Sequence, residues 1–355
     1  LSNKLIQEQF TRPLLAWYDL NGRKDLPWQT PRHPYRVWVS EIMLQQTQVQ
    51  TVIPYFNRFM ERFPTVDRLA HADEDEVLSL WSGLGYYSRA RNLHATAKII
   101  SSTYLGLFPK DLQDLINLPG IGPSTAAAIV SQAFNEPAAI LDGNVKRVLA
   151  RYFLIKGWPE QAQVKKTMWA FAHSCMSLQR CADYTQAIMD LGATCCTNKK
   201  PDCLKCPVQS TCQAFINEEQ SQYPSKIIKK PTPVHSQQFL VLLDSQNRIY
   251  LEKRPPAGLW GGLWCLPSLE VNDCPLGFIQ QHYALNGETP EHLISFKHRF
   301  SHFHLEINAL SIKIQPMTNQ LSESTGIWFP KEKLDSVGLA KPTSLILSKL
   351  DNEIS

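Results

Sequence analysis

The sequence contains no run of eighteen apolar residues, so no transmembrane helix is expected. It also lacks the pattern of a signal peptide. Its first twenty residues, LSNKLIQEQFTRPLLAWYDL, are amphipathic, with Leu5, Ile6, Phe10, Leu14 and Trp17 on one helical face. Export is not expected, and a cytoplasmic location is. Charge of one sign is scarce too: the net charge is +4. Residues 1–216 carry 23 Lys and Arg against 18 Asp and Glu, and the remainder 13 against 14. That small basic excess in the first part suits a nucleic-acid footprint, and solvated surface charge explains it nearly as well. An odd count of nine cysteines, without an export signal, argues against a disulfide framework.

Four of those cysteines fall within one short segment, Cys196-x6-Cys203-x2-Cys206-x5-Cys212. Scattered core thiols would not cluster in this way. Four thiolates suit zinc as well as iron, but zinc ribbons pair two C-x2-C knuckles and only one is present here. Starting from Cys195 instead would lengthen the first gap to seven. Lys199, Lys200 and Lys205 give the same loop positive charge, which suits phosphate contact.

A chain of 355 residues is long enough for two or three cores, and its hydrophobic content of 43% is that of a globular protein. The first part reads as helical. Helices are expected over 4–21 and over about 35–51, with later breaks at Phe63-Pro64, Gly83-Leu84-Gly85 and Phe108-Pro109, and the last helices over 161–192. A polar, proline-punctuated stretch at 217–236 reads as a linker. Beyond it the pattern turns strand-like: 238–243 and 248–253, joined by Asp244-Ser245-Gln246-Asn247, predict a β-hairpin. The domain expectation is therefore 1–216, a linker at 217–236, and 237–355.

The most informative stretch is 115–148. Two apolar segments meet at Leu118-Pro119-Gly120-Ile121-Gly122, where Gly120 and Gly122 permit positive φ and close approach. The helix beginning near Ser124 would aim free N–H groups at an anion such as a DNA phosphate. An ordinary helical corner would look similar. What argues against it is Asp142 in Leu141-Asp142-Gly143-Asn144-Val145-Lys146-Arg147-Val148, although an Asp there could also simply cap a helix.

Together, L-P-G-I-G-x-x-T-A and L-D-G-N-V-x-R-V resemble the helix–hairpin–helix DNA glycosylases. Ser40-Glu41-Ile42-Met43-Leu44-Gln45-Gln46-Thr47-Gln48-Val49 is similar to the adenine DNA glycosylases, the MutY family, and this resemblance extends over nearly the whole chain. It implies an all-α helix–hairpin–helix core with a 4Fe–4S loop held by Cys196, Cys203, Cys206 and Cys212, followed by an α+β Nudix-like domain. It implies removal of adenine opposite 8-oxoguanine or guanine in double-stranded DNA by a monomeric enzyme. Glu41 would be the general acid, in an apolar setting that keeps its pKa high. Asp142 would face the sugar cation, and Asn144 would orient the sugar site. Gln46 and Tyr86 resemble wedge residues that hold a duplex open. Leu84, Trp28, Gly120, Gly122, Ser124 and Lys146 complete the expected DNA side. Ser124 stands where bifunctional relatives carry the Lys that attacks C1′, so a hydroxyl replaces the amine. An endonuclease III-like glycosylase/AP lyase is the alternative reading.

Further on, Gly258-Leu259-Trp260 resembles the G-L-W strand region of the Nudix fold, yet no R-E-x2-E-E box for Mg2+ follows. That domain is expected to bind and not to hydrolyse. Within it, residues 296–305 alternate in strand fashion, and Phe300, Ser301 and His302 would read the base opposite adenine.

Overall fold

The computed structural model describes residues 2–227, 231–300, 302–315 and 326–354. The chain forms two compact units, 1–71 with 92–229, and 72–91 with 230–355. No helix among the described residues is long and apolar enough to cross a membrane.

The first unit is helical. A broken helical run covers Asn3–Ile6, Gln7–Thr11 and Arg12–Asn21 and buries Ile6, Phe10, Leu14 and Tyr18. Phe10 meets Tyr152 edge to face at 4.7 Å, so the amphipathic start packs into the same core as Val148, Leu149, Ile188 and Leu191. Full burial of one such side chain contributes about 1.5–3 kcal/mol. The loop after Asn21 is tied down by an ion pair. Arg23 reaches Asp190 at 2.6 Å, Gln186 donates to the same carboxylate at 2.8 Å, and Asp190 itself is fully buried.

The helix expected over 35–51 is two helices, Pro34–Leu44 and Val49–Arg62. Gln46 between them adopts φ +59°, and such a left-handed residue stops helical hydrogen bonding. Periodicity alone does not register that break, because apolar residues continue on both sides. The hairpin forms as expected. Asp111 caps Leu112–Ile116, accepting from the N–H groups of Gln113 (2.7 Å) and Asp114 (3.1 Å). Gly120 then turns the chain at φ +75°. Gly122 does not take a positive φ: it lies extended at φ −87° and ψ 171° as the N-cap of Pro123–Phe134, with Pro123 in the first turn. That helix buries Ala126, Ala127, Ala128, Ile129 and Val130 and ends at Asn135 in the left-handed conformation.

The segment read as a linker is shorter than its composition suggested. Tyr223 is buried in the first unit's core, and Arg151 donates to the carbonyls of Gln220 and Tyr223 at 3.0 Å each. Strand β1 already begins at Val234. A single buried tyrosine leaves no mark on local composition.

The second unit is built on a mixed seven-stranded sheet: β1 (Val234–Leu243), β2 (Ile249–Lys253), β3 (Trp264–Cys265), β4 (Ser268–Glu270), β5 (Glu291–Arg299), β6 (His304–Lys313) and β7 (Gly326–Phe329). The order is β3-β2-β1-β6-β5, with β4 on β1 and β7 on β2; β1 and β6 are parallel. Central β1 is buried on both faces from Phe239 to Leu243, which explains its continuous apolar run. The expected hairpin is present: Asp244 accepts from the N–H groups of Gln246 (2.9 Å) and Arg248 (2.8 Å), and Asn247 turns at φ +58°. Helices Pro275–Tyr283 and Lys341–Ile354 accompany the sheet.

Ala72–Arg91 packs with this unit rather than with the helical one that the sequence order suggests. Asp75 is paired with Lys253 at 2.7 Å and accepts from the Trp264 indole at 3.3 Å, while Arg91 donates to the Gly261 carbonyl. Two strand expectations are corrected here. Gly258-Leu259-Trp260 is a turn, with Gly258 and Trp260 at φ +92° and +55°. Likewise β5 ends at Arg299, and the Phe300 N–H donates to the Phe303 carbonyl at 2.9 Å, closing the connection to β6. Alternation of aromatics with His carried the strand pattern past the true strand end. Ser301 lies outside the described residues.

The two hairpin glycines should respond differently to substitution. A Cβ on Gly120 would stand 2.7 Å from the Asn92 Cβ at a positive φ, whereas nothing lies within 4 Å of one on Gly122. Gly120→Ala is expected to cost about 1–3 kcal/mol, and Gly122→Ala to stay within about 0.5 kcal/mol of the parent. Thermal melting of both variants checks this; equal stabilities would refute the account of the turn.

Candidate active site

In the first unit a cleft of about 750 Å3 is lined by Glu41, Ser124, Asp142 and Asn144, together with Trp28, Gln45, Gln48 and Gln186. The sequence separates these residues by up to 145 positions. Glu41 arrives on the Pro34–Leu44 helix, whose start is set by Pro34 and by the His33 ring accepting from the Tyr35 N–H at 3.3 Å. Val37, Trp38, Ile42 and Met43 bury the rest of that helix and leave Glu41 on the cleft. Gln132 donates to Glu41 Oε1 at 3.3 Å. Burial pushes the Glu41 carboxyl up to about 7, the Asp142 charge raises it further, and the Gln132 hydrogen bond opposes the rise.

Asp142 is the N-cap of Gly143–Tyr152. The Val145 N–H donates to Oδ1 at 2.7 Å, and Asn144 Nδ2 donates to Oδ2 at 3.4 Å. Capping and cleft lining are thus properties of the same side chain. Burial raises its pKa, but the N–H groups of Val145 and Asn144 and the Arg147 charge pull it back. Glu41 has one amide to favour its anion and Asp142 has several donors and a guanidinium. This difference makes Glu41 the proton carrier and Asp142 the anion.

Ser124 Oγ accepts from the Leu141 N–H at 3.1 Å, tying the hairpin helix to the segment that carries Asp142. Trp28 is buried, packed on Phe56 at 5.3 Å, and forms part of the cleft wall. Lys146 is ion-paired with Glu160 and does not line the cleft. Sequence reasoning missed Gln186 and Arg147. Arg147 Nη2 donates to Asn144 Oδ1 (2.8 Å) and to the Gly192 carbonyl (2.5 Å), and its Nε to the Cys196 carbonyl (2.8 Å). The only sequence signal for it was its place inside the motif around Asp142.

Cys196, Cys203, Cys206 and Cys212 line one small cavity, with Cys195 also at its wall. Among the described residues, no three Cys, His, Asp or Glu side chains are grouped closely enough for a single metal ion. Buried Arg151 donates to Cys196 Sγ at 3.3 Å, as well as to the carbonyls of Thr197 (2.7 Å) and Asn198 (3.0 Å). Burial raises the thiol pKa of Cys196 and Cys203, and pushes that of Cys212 to about 11. Cys195 is part of the hydrophobic core, and its thiol donates to the Asp202 carbonyl at 3.2 Å.

Gln46 is exposed and left-handed at φ +59°. In the second unit Tyr86 is likewise left-handed, at φ +50°, with 47% of its surface exposed. Leu84, expected on the DNA side, is buried instead, so it is Tyr86 that the Gly83–Gly85 turn presents. A cavity of about 440 Å3 brings Tyr86 together with Trp260, His298, Phe300 and His302. Sequence reasoning had placed Tyr86 and His302 in different domains.

Residues 39–173 match the family described as HhH-GPD superfamily base excision DNA repair protein, and residues 238–349 match the NUDIX domain family. The chain is 40% identical over 346 residues to the adenine DNA glycosylase of Buchnera aphidicola subsp. Acyrthosiphon pisum, covering 97% of this chain and 98% of that one. Against the adenine DNA glycosylase of Homo sapiens the identity is 33% over 395 residues, covering 93% and 72%. A thermostable thymine-DNA glycosylase superposes with a TM-score of 0.54 at 26% identity, covering 60% of this chain and 98% of its own. Endonuclease III, in a non-covalent DNA complex, superposes with a TM-score of 0.52 at 21% identity over 61% of this chain and 98% of its own, which shows the helical fold.

The raised Glu41 pKa predicts a pH-dependent stability. A carboxyl that titrates near 7 when folded and near 4.5 when unfolded destabilises the fold as pH rises between those values. Glu41→Gln should therefore match the parent below pH 4.5, gain on it through pH 7, and remain more stable by on the order of 1–3 kcal/mol above. Denaturant melts at pH 4.5 and 8.5 measure the difference. A gap that does not widen with pH would show that Glu41 is not held neutral by burial.

Proposed function

The chain belongs to the adenine DNA glycosylase family, and from that premise we propose that it removes adenine paired with 8-oxoguanine or guanine in duplex DNA. It is a DNA N-glycosylase of base excision repair. The observation that carries the finer reading is the meeting of Glu41 and Asp142 in one cleft with their proton affinities pushed apart.

Adenine inside a stacked duplex is out of reach, so the nucleotide is extruded into the cleft. Adenine is a poor anionic leaving group. Neutral Glu41 donates a proton to a ring nitrogen, the bond from that ring to C1′ breaks, and adenine leaves neutral. The sugar is left as a cation facing the Asp142 carboxylate, which Val145 and Asn144 hold in place. Water then adds its oxygen to C1′, and its released proton restores Glu41. Ser124 offers a hydroxyl already engaged by the Leu141 N–H, and Lys146 is engaged by Glu160. No free amine among the described cleft residues is poised for a Schiff base, which favours base removal over the lyase alternative.

Gln46 and Tyr86 act as the wedge, and the cavity holding Tyr86, Phe300 and His302 receives the base opposite adenine. Ser301 is assigned there on resemblance alone. The glycines at 120 and 122 and the first turn of Pro123–Phe134 meet the phosphate backbone. Chemistry is assigned to residues 1–216 and lesion recognition to 237–355, with Ala72–Arg91 added to the latter. The enzyme works as a monomer in a bacterial-type cytoplasm.

The cysteine loop fits a 4Fe–4S cluster. Four thiols around one cavity, too dispersed for a single ion, match a polynuclear group, and buried Arg151 beside Cys196 Sγ suits an anionic thiolate cage. Such a cluster, when bound, cross-links the loop to the helical unit.

Two measurements test this reading. In single-turnover assays, adenine should be released from an A·8-oxoguanine duplex, with no 8-oxoguanine released opposite C. Glu41→Gln and Asp142→Asn should each lower the rate by at least about 100-fold with DNA binding retained, and the parent rate should fall as pH rises through 7. Activity within a few-fold of the parent in either variant would remove that residue from the mechanism. Separately, the purified protein should be yellow-brown with about four iron atoms per chain; colourless protein holding one zinc would overturn the cluster.

A further inference from the structure

The loop carrying Tyr86 contains a buried cation that neither the excision chemistry nor the reading of the opposite base uses. Arg89 is only 8% exposed. Its Nη2 donates to the carbonyls of Leu84 (3.2 Å) and Gly85 (3.0 Å), and its backbone N–H donates to the Tyr86 carbonyl (2.9 Å). The Trp81 indole also donates to the Gly85 carbonyl, at 3.2 Å. The guanidinium lies over two rings, 5.4 Å from the centroid of Trp81 and 5.6 Å from that of Tyr86. These contacts gather on the two consecutive left-handed residues, Gly85 at φ +72° and Tyr86 at φ +50°.

A tyrosine holds a left-handed backbone only where its surroundings enforce it. Here the enforcement comes from one side chain. It grips both carbonyls that precede Tyr86 and supports one face of the phenol ring, while 47% of Tyr86 stays exposed. A cation behind an aromatic ring also strengthens that ring's stacking on an electron-rich base. We propose that Arg89 is the positioning residue of the wedge: it holds Tyr86 in its strained, outward pose and backs the ring against the nucleobase. This rests on the reading of Tyr86 as the wedge.

Lysine could supply the charge but neither the fork nor the flat face, so Arg89→Lys and Arg89→Gln separate geometry from charge. The experiment compares both with Tyr86→Ala and with the Tyr86→Ala/Arg89→Gln double variant in the full chain. The readouts are affinity for A·8-oxoguanine and A·G duplexes with a non-cleavable adenine analogue, and the fluorescence of 2-aminopurine placed beside the 8-oxoguanine, which rises when the stack is opened. Melting temperatures establish that each variant is folded at the assay temperature.

Arg89→Gln is expected to lower the preference for 8-oxoguanine about tenfold and to lose the fluorescence rise. Arg89→Lys should fold with a smaller loss in both, and the Arg89 effect should vanish once Tyr86 is Ala. If Arg89→Gln and Tyr86→Ala lower affinity additively, or Arg89→Gln behaves as the parent while Tyr86→Ala is impaired, Arg89 does not act through Tyr86 and the proposal fails. If Tyr86→Ala itself behaves as the parent, the wedge reading is wrong and this inference falls with it. Should Arg89→Gln not fold, the Arg89→Lys pair decides on the same criteria.

Discussion

The site depends first on a helix cap. Asp142 closes the N-terminus of Gly143–Tyr152 through the Val145 N–H at 2.7 Å, and that bond fixes the direction of its carboxylate. An N-cap of this kind contributes about 1 kcal/mol, but its larger consequence here is geometric. The side chain cannot rotate away from the cleft without uncapping the helix, and Val145, Val148 and Leu149 of that helix are core residues. The anion is therefore held where its burial is unfavourable by bonds that the fold needs in any case.

The second carboxyl is treated in the opposite way. Glu41 sits on a helix whose neighbouring side chains are almost all buried, with a single amide to answer its charge. Two carboxyls in one enclosed cleft would both be driven neutral; the donors around Asp142 break that tie and leave the proton on Glu41. The ion pair of Arg23 with Asp190, reinforced by Gln186, holds the loop that brings Leu26 and Trp28 to the same cleft.

One helix also joins that cleft to the cysteine loop. Arg147 and Arg151 lie one turn apart on Gly143–Tyr152. Arg147 spans from Asn144 to the carbonyls of Gly192 and Cys196, and Arg151 spans from Cys196 Sγ to the carbonyls of Thr197, Asn198, Gln220 and Tyr223. A buried guanidinium needs several acceptors in its plane, and here irregular backbone supplies them. The cysteine loop and the residues after it are consequently shaped around two side chains of the helix that begins at Asp142.

By itself the sequence determined whatever depends on short-range chemistry. The hairpin turn at Gly120, the helix start at Pro123, the cap at Asp142 and the Asp244–Asn247 turn all follow from residues within a few positions of one another. The cysteine spacing was legible for the same reason. Only the tertiary structure decided that Glu41 and Asp142 share a cleft, that Leu84 turns inward while Tyr86 turns outward, and that Ala72–Arg91 packs with the sheet. It also ended β5 at Arg299, although the alternation runs on, and broke the helix at Gln46 although apolar residues continue. Each of these outcomes depends on partners far away in the chain: Trp264 and Lys253 for Asp75, Asn92 for Gly120, Gln132 for Glu41. Local patterns carry propensity, but burial and proton affinity are set by which distant side chains exclude water, and the sequence order does not contain that.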